Sequence, residues 1–183
     1  MPDFVIEYKN KNVLSMIRQI EQKVENPAGA LKIVGAEIVG SVSENFRVGG
    51  RPTPWKKSKR VLDGAGSEKG QTLFDKGTLE GSVNFRVVGG SVFIGTNDKR
   101  APIHNFGGVI KPKNKPFLVF VTSGDRPTDA AGWKQAREDG RVVFAKKVTM
   151  PKREFLMVQD EDPPEICDRL VKYLMKNTST APE

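Results

Sequence analysis

The feature that most constrains the fold is a Gly-Gly pair between two short runs rich in β-branched and aromatic residues, SVNFRVV-GG-SVFIGT. Such a pair suits a two-residue primed turn, so residues 82–88 and 91–96 are predicted to form an antiparallel hairpin. The side chains that meet across the turn share one face, which fixes the register. The predicted cross-strand pairs are Val83–Thr96, Phe85–Ile94 and Val87–Val92.

Helical periodicity precedes this hairpin. Residues 12–25 repeat apolar side chains at the spacing of one helix face, at Val13, Ile17, Ile20 and Val24. Asn26-Pro27 predicts a break and a new helix, with Asn as its cap and Pro in its first position. The second stripe consists of Leu31, Val34, Ile38, Val42 and Phe46. Gly35 and Gly40 weaken this helix or allow another backbone to approach it closely.

The rest of the chain completes an α+β pattern. Strands are predicted at 116–121 and 141–150, and a terminal helix opens at Asp162, which acts as its cap. Long loops are predicted at 47–72 and at 122–141, the second with one helical turn around Trp133, and the tail 177–183 should fray. We therefore expect one α+β domain over residues 1–183. In it the N-terminal helices and the C-terminal helix pack on an antiparallel β-sheet with long basic loops.

Composition and charge agree with a small core. Of the 183 residues 37% are hydrophobic, and 18 Gly and 12 Pro predict long loops around a core that neighbouring subunits complete. The polar N-terminus, and the lack of an apolar run of ~18–20 residues, predict a soluble intracellular protein. The net charge is +8, with acid-free basic clusters from Arg47 to Arg60 and from Lys99 to Lys115. Such clusters contact phosphate or an acidic protein, or are ordinary solvated loops.

Few residues of the chain carry chemistry. His104 is the only histidine and Cys167 the only cysteine, so an internal disulfide and a multi-thiolate metal site are excluded. Cys167 falls on the amphipathic terminal helix, where a small buried hydrophobe is expected, and a Cys–His dyad formed in space is the alternative. None of the Gly-Gly segments has the spacing of a phosphate-binding loop. We predict no enzymatic activity, no metal and no cofactor.

Five short segments follow one another in an informative order: FRVGGRPTPW (46–55), LFDKGTLEGSV (73–83), VFIGTN (92–97), APIHNFGG (101–108) and MPKREFL (150–156). Together they resemble the phage virion morphogenesis family, the tail-completion proteins of Mu-like phages and their relatives, over about residues 12–175. The chain departs from the family pattern at Arg100, where tyrosine is usual. A second departure lies in Pro151-Lys152-Arg153-Glu154-Phe155. The usual pattern there is Pro-Ala-Arg-Pro-Phe, so this chain lacks the second proline.

The resemblance implies structural roles for the residues that match these motifs. They are Gly49, Gly50, Gly77, Leu79, His104, Phe106, Gly107, Pro151, Phe155 and Leu156. We expect His104 to be a corner residue whose ring bonds to neighbouring backbone. Phe106 should fill the core beside it, and Gly107-Gly108 should let the chain turn.

The resemblance also implies a function. It predicts a structural protein of the virion neck that completes the tail or joins head and tail as a hexameric ring around the DNA channel. The implied partners are copies of itself, the tail tube protein, head-completion or connector proteins and, non-specifically, phage DNA, with no membrane. Such a protein is made in the bacterial cytoplasm and ends in the virion. The alternatives are a nucleic-acid-binding protein and a capsid-assembly accessory protein.

Exposed basic and aromatic residues are the interface candidates. They are Arg51, Trp55, Lys56, Lys57, Lys111, Lys113 and Arg153. Trp55 has two possible roles, because tryptophan is favoured at interface centres but is also able to cover the domain's own core.

Overall fold

The computed structural model of the chain describes residues 11–62, 71–121 and 127–176. The helices are α1 (Lys11–Glu25), α2 (Ala28–Val48), α3 (Lys59–Leu62), α4 (Ala101–Asn105), α5 (Ala130–Glu138) and α6 (Asp162–Met175). The strands are β1 (Val83–Val88), β2 (Ser91–Thr96), β3 (Gly108–Ile110), β4 (Leu118–Val121), β5 (Val142–Ala145) and β6 (Val148–Met150). Helices with antiparallel strands confirm the predicted α+β fold.

The strands pair as small two-stranded sheets, β1–β2, β3–β6 and β4–β5. The chain divides into two compact units, and each is described by itself. We call the unit formed by residues 1–98 and 155–183 the core unit, and the unit formed by residues 99–154 the ribbon unit. The single domain over residues 1–183 stays a prediction.

The long helix α2 is the centre of the core unit, where it packs against the β1–β2 hairpin and against α6. Its apolar stripe faces inward, and both Val42 and Phe46 are fully buried. Gly35 lies where α2 meets the hairpin, because a Cβ atom there would be 2.2 Å from the ring of Phe85. The close neighbour at Gly35 is therefore the side chain of Phe85, and not another backbone as predicted. The predicted approach is absent at Gly40, where no described atom lies within 4 Å of a built Cβ.

The β1–β2 hairpin has the predicted register, with Val83–Thr96, Phe85–Ile94 and Val87–Val92 as cross-strand partners. Gly89 and Gly90 have φ values of 56° and 79°, which a type I′ turn requires. Along β1 the exposed residues alternate with covered ones, as in a sheet with one face against the core.

Two helix starts differ from the sequence prediction. Pro27, and not Asn26, occupies the N-cap position of α2, with no side-chain cap. At α6 the N-cap position belongs to Glu161. The buried carboxylate of Asp162 instead accepts a hydrogen bond from the backbone N–H of Gln159 (2.7 Å). Because this bond turns the carboxylate back toward the preceding segment, Asp162 lies inside the first turn and does not cap it.

The segment 47–72, predicted as one long loop, contains helical residues. Its first residues continue α2, and α3 lies within it. The backbone N–H of Trp55 donates to the carbonyl oxygen of Gly49 (2.7 Å), which folds the loop back on the end of α2. The part of this prediction that falls on residues 63–70 lies outside the described residues.

The ribbon unit is built on the ladders β3–β6 and β4–β5. The β4–β5 pairing is the predicted one, whereas β3 was not predicted because three residues are too few to show alternation. Residues 111–117 on one strand oppose only residues 146 and 147 on the other, so the ribbon bulges between its two ladders.

A helix replaces the middle of the second predicted loop, 122–141. The sequence predicts a single helical turn there, and the structure has the longer helix α5. Asp129 caps this helix, since its Oδ1 accepts a hydrogen bond from the N–H of Gly132 (2.7 Å). Residues 122–126 lie outside the described residues. The tail 177–183, which is predicted to fray, lies outside them as well.

Candidate assembly surfaces

A buried asparagine connects three segments of the core unit. Asn45, on α2, is fully buried, and its Nδ2 donates to the carbonyl oxygen of Phe155 (3.0 Å). Its Oδ1 accepts hydrogen bonds from Nε of Arg51 (2.9 Å) and Nε2 of Gln159 (3.1 Å). We call Asn45, Arg51, Gln159 and the backbone of Phe155 the Asn45 cluster. It joins α2 to the loop that follows it and to the segment that leads into α6.

Arg51, predicted as an interface residue, uses its guanidinium inside the core unit. Its Nη2 donates to the carbonyl oxygen (2.6 Å) and the Oγ (2.8 Å) of Ser41. Its Nη1 lies 2.9 Å from Oε1 of Glu161, and the Arg51 side chain is 22% exposed. Because these bonds occupy the planar group on several sides, the geometry gives Arg51 a structural role. Contact with a partner stays a prediction.

Three aromatic rings pack beside the Asn45 cluster. Phe46 lies between Trp55 and Phe155, with ring centroids 5.7 Å and 5.0 Å away. Gly50 makes room for the indole, since a Cβ atom there would be 2.6 Å from it. Of the two roles that the sequence left open for Trp55, the structure therefore favours covering the core.

These contacts join the motif segment 46–55 to Phe155, which lies in the part of the motif segment 150–156 that belongs to the core unit. Asn45 and Gln159, whose side chains hold this junction, were not predicted from the sequence. Asn45 lies three residues after Val42 on the apolar face of α2, and a polar residue at such a position signals a buried hydrogen-bond partner. No comparable signal marks Gln159, which lies outside any periodic element.

The motif segment 73–83 fixes the start of the hairpin. Gly77 has a φ of 70°, and Leu79 is buried. The hydroxyl of Ser82 donates to the carbonyl oxygen of Leu79 (2.7 Å) and lies 2.6 Å from the Oγ1 of Thr96. The segment thereby connects the turn before β1 to the end of β2.

His104 lies at a corner of the ribbon unit, in the short helix α4. The bond that anchors this corner uses the His104 backbone, whose carbonyl oxygen accepts from the N–H of Arg153 (2.9 Å). Gly107 and Gly108 turn the chain with φ values of 70° and 144°, as predicted. The core role predicted for Phe106 is wrong: its side chain is 70% exposed, because the turn after α4 directs it to solvent.

Gly107→Ala is expected to lower the free energy of unfolding by about 3 kcal/mol. Its positive φ disfavours a side chain, and a Cβ atom would lie 2.7 Å from the backbone N of Lys152 and 2.9 Å from the carbonyl oxygen of Met150. Urea unfolding measures the change. The control is Gly40→Ala, which meets no described atom and should stabilise α2 by about 0.5–1 kcal/mol. Equal stabilities of the two variants would contradict the tight turn.

The segment around Arg153 is more buried than an interface requires. Arg153, predicted as an interface residue, is only 4% exposed, and burial lowers the pKa of its guanidinium. The interface prediction for Arg153 is therefore corrected, because the side chain is not on the surface. Pro151 and Leu156 are half-buried and Phe155 is fully buried, so this segment mainly supports packing.

The basic side chains that remain exposed are unevenly distributed. Residues 99–154 contain thirteen Lys and Arg and five Asp and Glu, so they carry the whole net charge of +8. Five exposed lysines gather where the ribbon bulges, on both opposing strands. We call this group, which includes two predicted interface residues, the lysine belt: Lys111, Lys113, Lys115, Lys146 and Lys147. The predicted interface residues Lys56 and Lys57 are exposed in the core unit.

The ribbon is apolar on both faces. Cross-strand partners point to the same face, so Val119 and Phe144 share one face and Phe120 and Val143 share the other. These four side chains are 36% to 51% exposed. An ordinary solvated sheet has one polar face. A short ribbon with exposed apolar side chains on both faces is typical of a surface that a partner covers.

Cys167 is exposed, and the prediction that it is buried is wrong. It occupies the outer face of α6, beside the stripe that packs inward. Among the described residues, no three His, Cys, Asp or Glu side chains form a group able to hold a metal ion. None of the helices described in this structure has the length and apolar character needed to cross a membrane.

Comparison with known proteins agrees with the motif segments. The chain is 29% identical over 123 residues to Mu-like prophage FluMu G protein 2 of Haemophilus influenzae, which covers 63% of this chain and 83% of that protein. No solved structure matches the chain significantly. The profile of the phage virion morphogenesis family matches residues 8–175. The chain therefore belongs to the phage virion morphogenesis family, and its role lies in the assembly of a phage virion.

Proposed function

We propose that the chain is a structural, non-catalytic component of the virion neck, where it completes the tail and joins it to the filled head. It acts as a homo-oligomeric ring, expected to have six copies, around the channel through which DNA leaves. The observation that carries the proposal is the ribbon with exposed apolar side chains on both faces. A ring subunit has neighbours on two sides and needs surfaces of this kind.

The small core supports the same role. The buried apolar side chains of the described residues are Val42, Phe46, Leu79, Val83, Ala101, Ala136 and Phe155. Further apolar side chains of α1 remain exposed, among them Val13, Ile17 and Val24. A chain with few buried and many exposed apolar side chains gains stability when other subunits cover them.

The proposed partners are other copies of the chain, the tail tube protein and the head-completion or connector proteins. Phage DNA in the channel is a non-specific contact, for which the positive charge of the ribbon unit is suited. The protein is made in the bacterial cytoplasm and becomes part of the neck of the virion.

A nonsense mutation in the gene tests this function. We expect DNA-filled heads and complete tails to accumulate separately, and a plasmid copy of the gene to restore joined particles. Electron microscopy of the lysate counts the three kinds of particle. Empty or malformed heads as the main product would contradict the neck role and favour a capsid-assembly accessory. Normal joined particles would contradict any role in completion.

The lysine belt also favours a second candidate, a nucleic-acid-binding protein. In that case the affinity for a DNA duplex falls steeply with salt, by about 10³ between 50 and 200 mM for six phosphate contacts. Replacing Lys111 and Lys113 by serine would reduce this slope. Lys56→Ser with Lys57→Ser, a matched pair in the core unit, is the control. A weak and shallow salt dependence, unchanged by both pairs of substitutions, excludes this candidate.

A further inference from the structure

The start of α6 provides a surface of opposite charge to the ribbon. Five acidic residues and no basic residue lie from Asp160 to Asp168. The two at positions 161 and 162 are engaged within the core unit, by Arg51 and by the backbone at 159. The other three carboxylates, those of Asp160, Glu165 and Asp168, are exposed. They lie at the beginning of α6 and along its outer side.

Apolar side chains continue this surface along the helix. Glu165, Asp168, Val171 and Met175 follow one another at three- and four-residue spacing, so they lie on one side of α6. All four side chains are exposed. We call them the acidic face of α6. It combines carboxylates with apolar groups, as the ribbon combines lysines with valines and phenylalanines. The exposed Lys172 lies on the same side of the helix, so the negative charge is confined to the N-terminal half of this face.

We propose that the acidic face of α6 in one copy binds the ribbon of a second copy. The lysine belt lies opposite the carboxylates of Glu165 and Asp168, and Phe120 or Phe144 covers Val171 and Met175. The exposed apolar groups supply most of the affinity, because isolated surface ion pairs contribute little. The charges set the orientation and speed the encounter.

Charge complementarity selects a second copy as the occupant. Two ribbons facing each other would bring positive charge against positive charge, and two α6 helices would offer each other's carboxylates fewer cations than the five lysines of the belt do. Ribbon against helix is therefore the favourable arrangement, and it uses two different surfaces of the same chain. Such a heterologous contact propagates from copy to copy and closes into a ring when the rotation permits.

A nucleic acid is the less suitable occupant of the ribbon. Interfaces with DNA are more polar than interfaces between proteins, and phosphate contacts come from basic and polar groups. The lysine belt meets that need, but the exposed Val119 and Val143 of the ribbon do not. Their presence beside the lysines is what a protein partner explains.

Reciprocal charge reversal tests the contact. The ribbon variant is Lys146→Glu with Lys147→Glu, and the helix variant is Glu165→Lys with Asp168→Lys. In the ribbon variant two glutamates face the carboxylates of α6, and in the helix variant two lysines face the lysine belt, so each should self-associate about tenfold more weakly than the wild type. An equimolar mixture should recover the association, because each variant then meets the opposite charge on the other. Sedimentation velocity of the full chain at low salt measures this.

The matched control reverses two exposed lysines of the core unit, Lys32→Glu with Lys76→Glu. It should associate like the wild type. A mixture no stronger than its two components, or a wild type that stays monomeric at every concentration, overturns the proposal. So does a ribbon variant that associates normally and loses only its binding to a DNA duplex.

Crosslinking through the exposed Cys167 gives a second measurement, which reverses no charge on either surface. With Lys147→Cys, each chain has one thiol on α6 and one on the ribbon, and a short bis-maleimide should join chains into a ladder beyond dimers. Adding Cys167→Ser should remove the ladder. A crosslink formed only within single chains overturns the proposal.

This inference rests on the proposed function only in that both require copies to associate. The two fail separately. If the charge-reversed mixture associates but a nonsense mutant still produces joined particles, the neck role fails and the contact stands. If joining requires the protein but the mixture does not associate, the neck role stands and this contact is wrong.

Discussion

Asn45→Ala is expected to lower the free energy of unfolding by about 3–5 kcal/mol. The substitution removes the acceptor of Arg51 Nε and Gln159 Nε2 and the donor to the carbonyl oxygen of Phe155. A buried group left without its partner costs about 1–3 kcal/mol, and water has little access because Asn45 is fully buried. Urea unfolding followed by circular dichroism measures the loss.

Asn84→Ala is the matched control, because Asn84 is exposed on β1. It removes the same atoms and should change the free energy of unfolding by less than about 0.5 kcal/mol. A double-mutant cycle between Asn45→Ala and Gln159→Ala should give a coupling energy of about 1 kcal/mol, since the two side chains share a bond. Additive effects of the two substitutions would contradict a connected cluster.

The predictable part of the fold is the part governed by local periodicity. The Gly89-Gly90 turn admits few strand registers, and the alternation of apolar residues selects one, so every cross-strand pair is predictable. The helices α1, α2 and α6 have stripes long enough to identify. A close neighbour at Gly35 was predictable, because an unexplained glycine in a helix has few other uses, but its identity as the Phe85 side chain was not.

The missed features depend on which faces meet in three dimensions. Phe106 and Cys167 belong to types that are usually buried, yet both lie on outer faces that periodicity does not distinguish. Aspartate is a common N-cap residue, but the carboxylate of Asp162 accepts a hydrogen bond from the backbone N–H of Gln159, which precedes the helix. Arg153 resembles a surface cation, and only the packing around it shows that it is buried. These outcomes follow from tertiary contacts, which a local pattern does not contain.

The sequence predicts the residue types of the candidate surfaces better than the positions of those residues in the fold. Lys111 and Lys113 lie at the surface, as the basic loop that contains them predicts. Two other candidates, Arg51 and Trp55, pack instead within the core unit, because the loop that carries them folds back onto α2. The exposed apolar ribbon was not predicted. Apolar and polar residues do not alternate along its strands. This pattern is equally typical of a strand buried in the domain and of a strand that a partner covers.

Phe46→Ala is expected to destabilise the chain by about 3–5 kcal/mol, the usual cost of removing a buried aromatic ring. Phe46 is fully buried between Trp55 and Phe155, so its loss leaves a cavity and removes the support of both neighbouring rings. The melting temperature should fall by about 10 °C, at about 2–4 °C per kcal/mol for a chain of this size. Thermal unfolding measures it.

Phe106→Ala is the matched control, since it deletes the same ring from a site that is 70% exposed. Its melting temperature should differ from the wild type by less than about 2 °C. A large loss of stability for Phe106→Ala would contradict its exposed position.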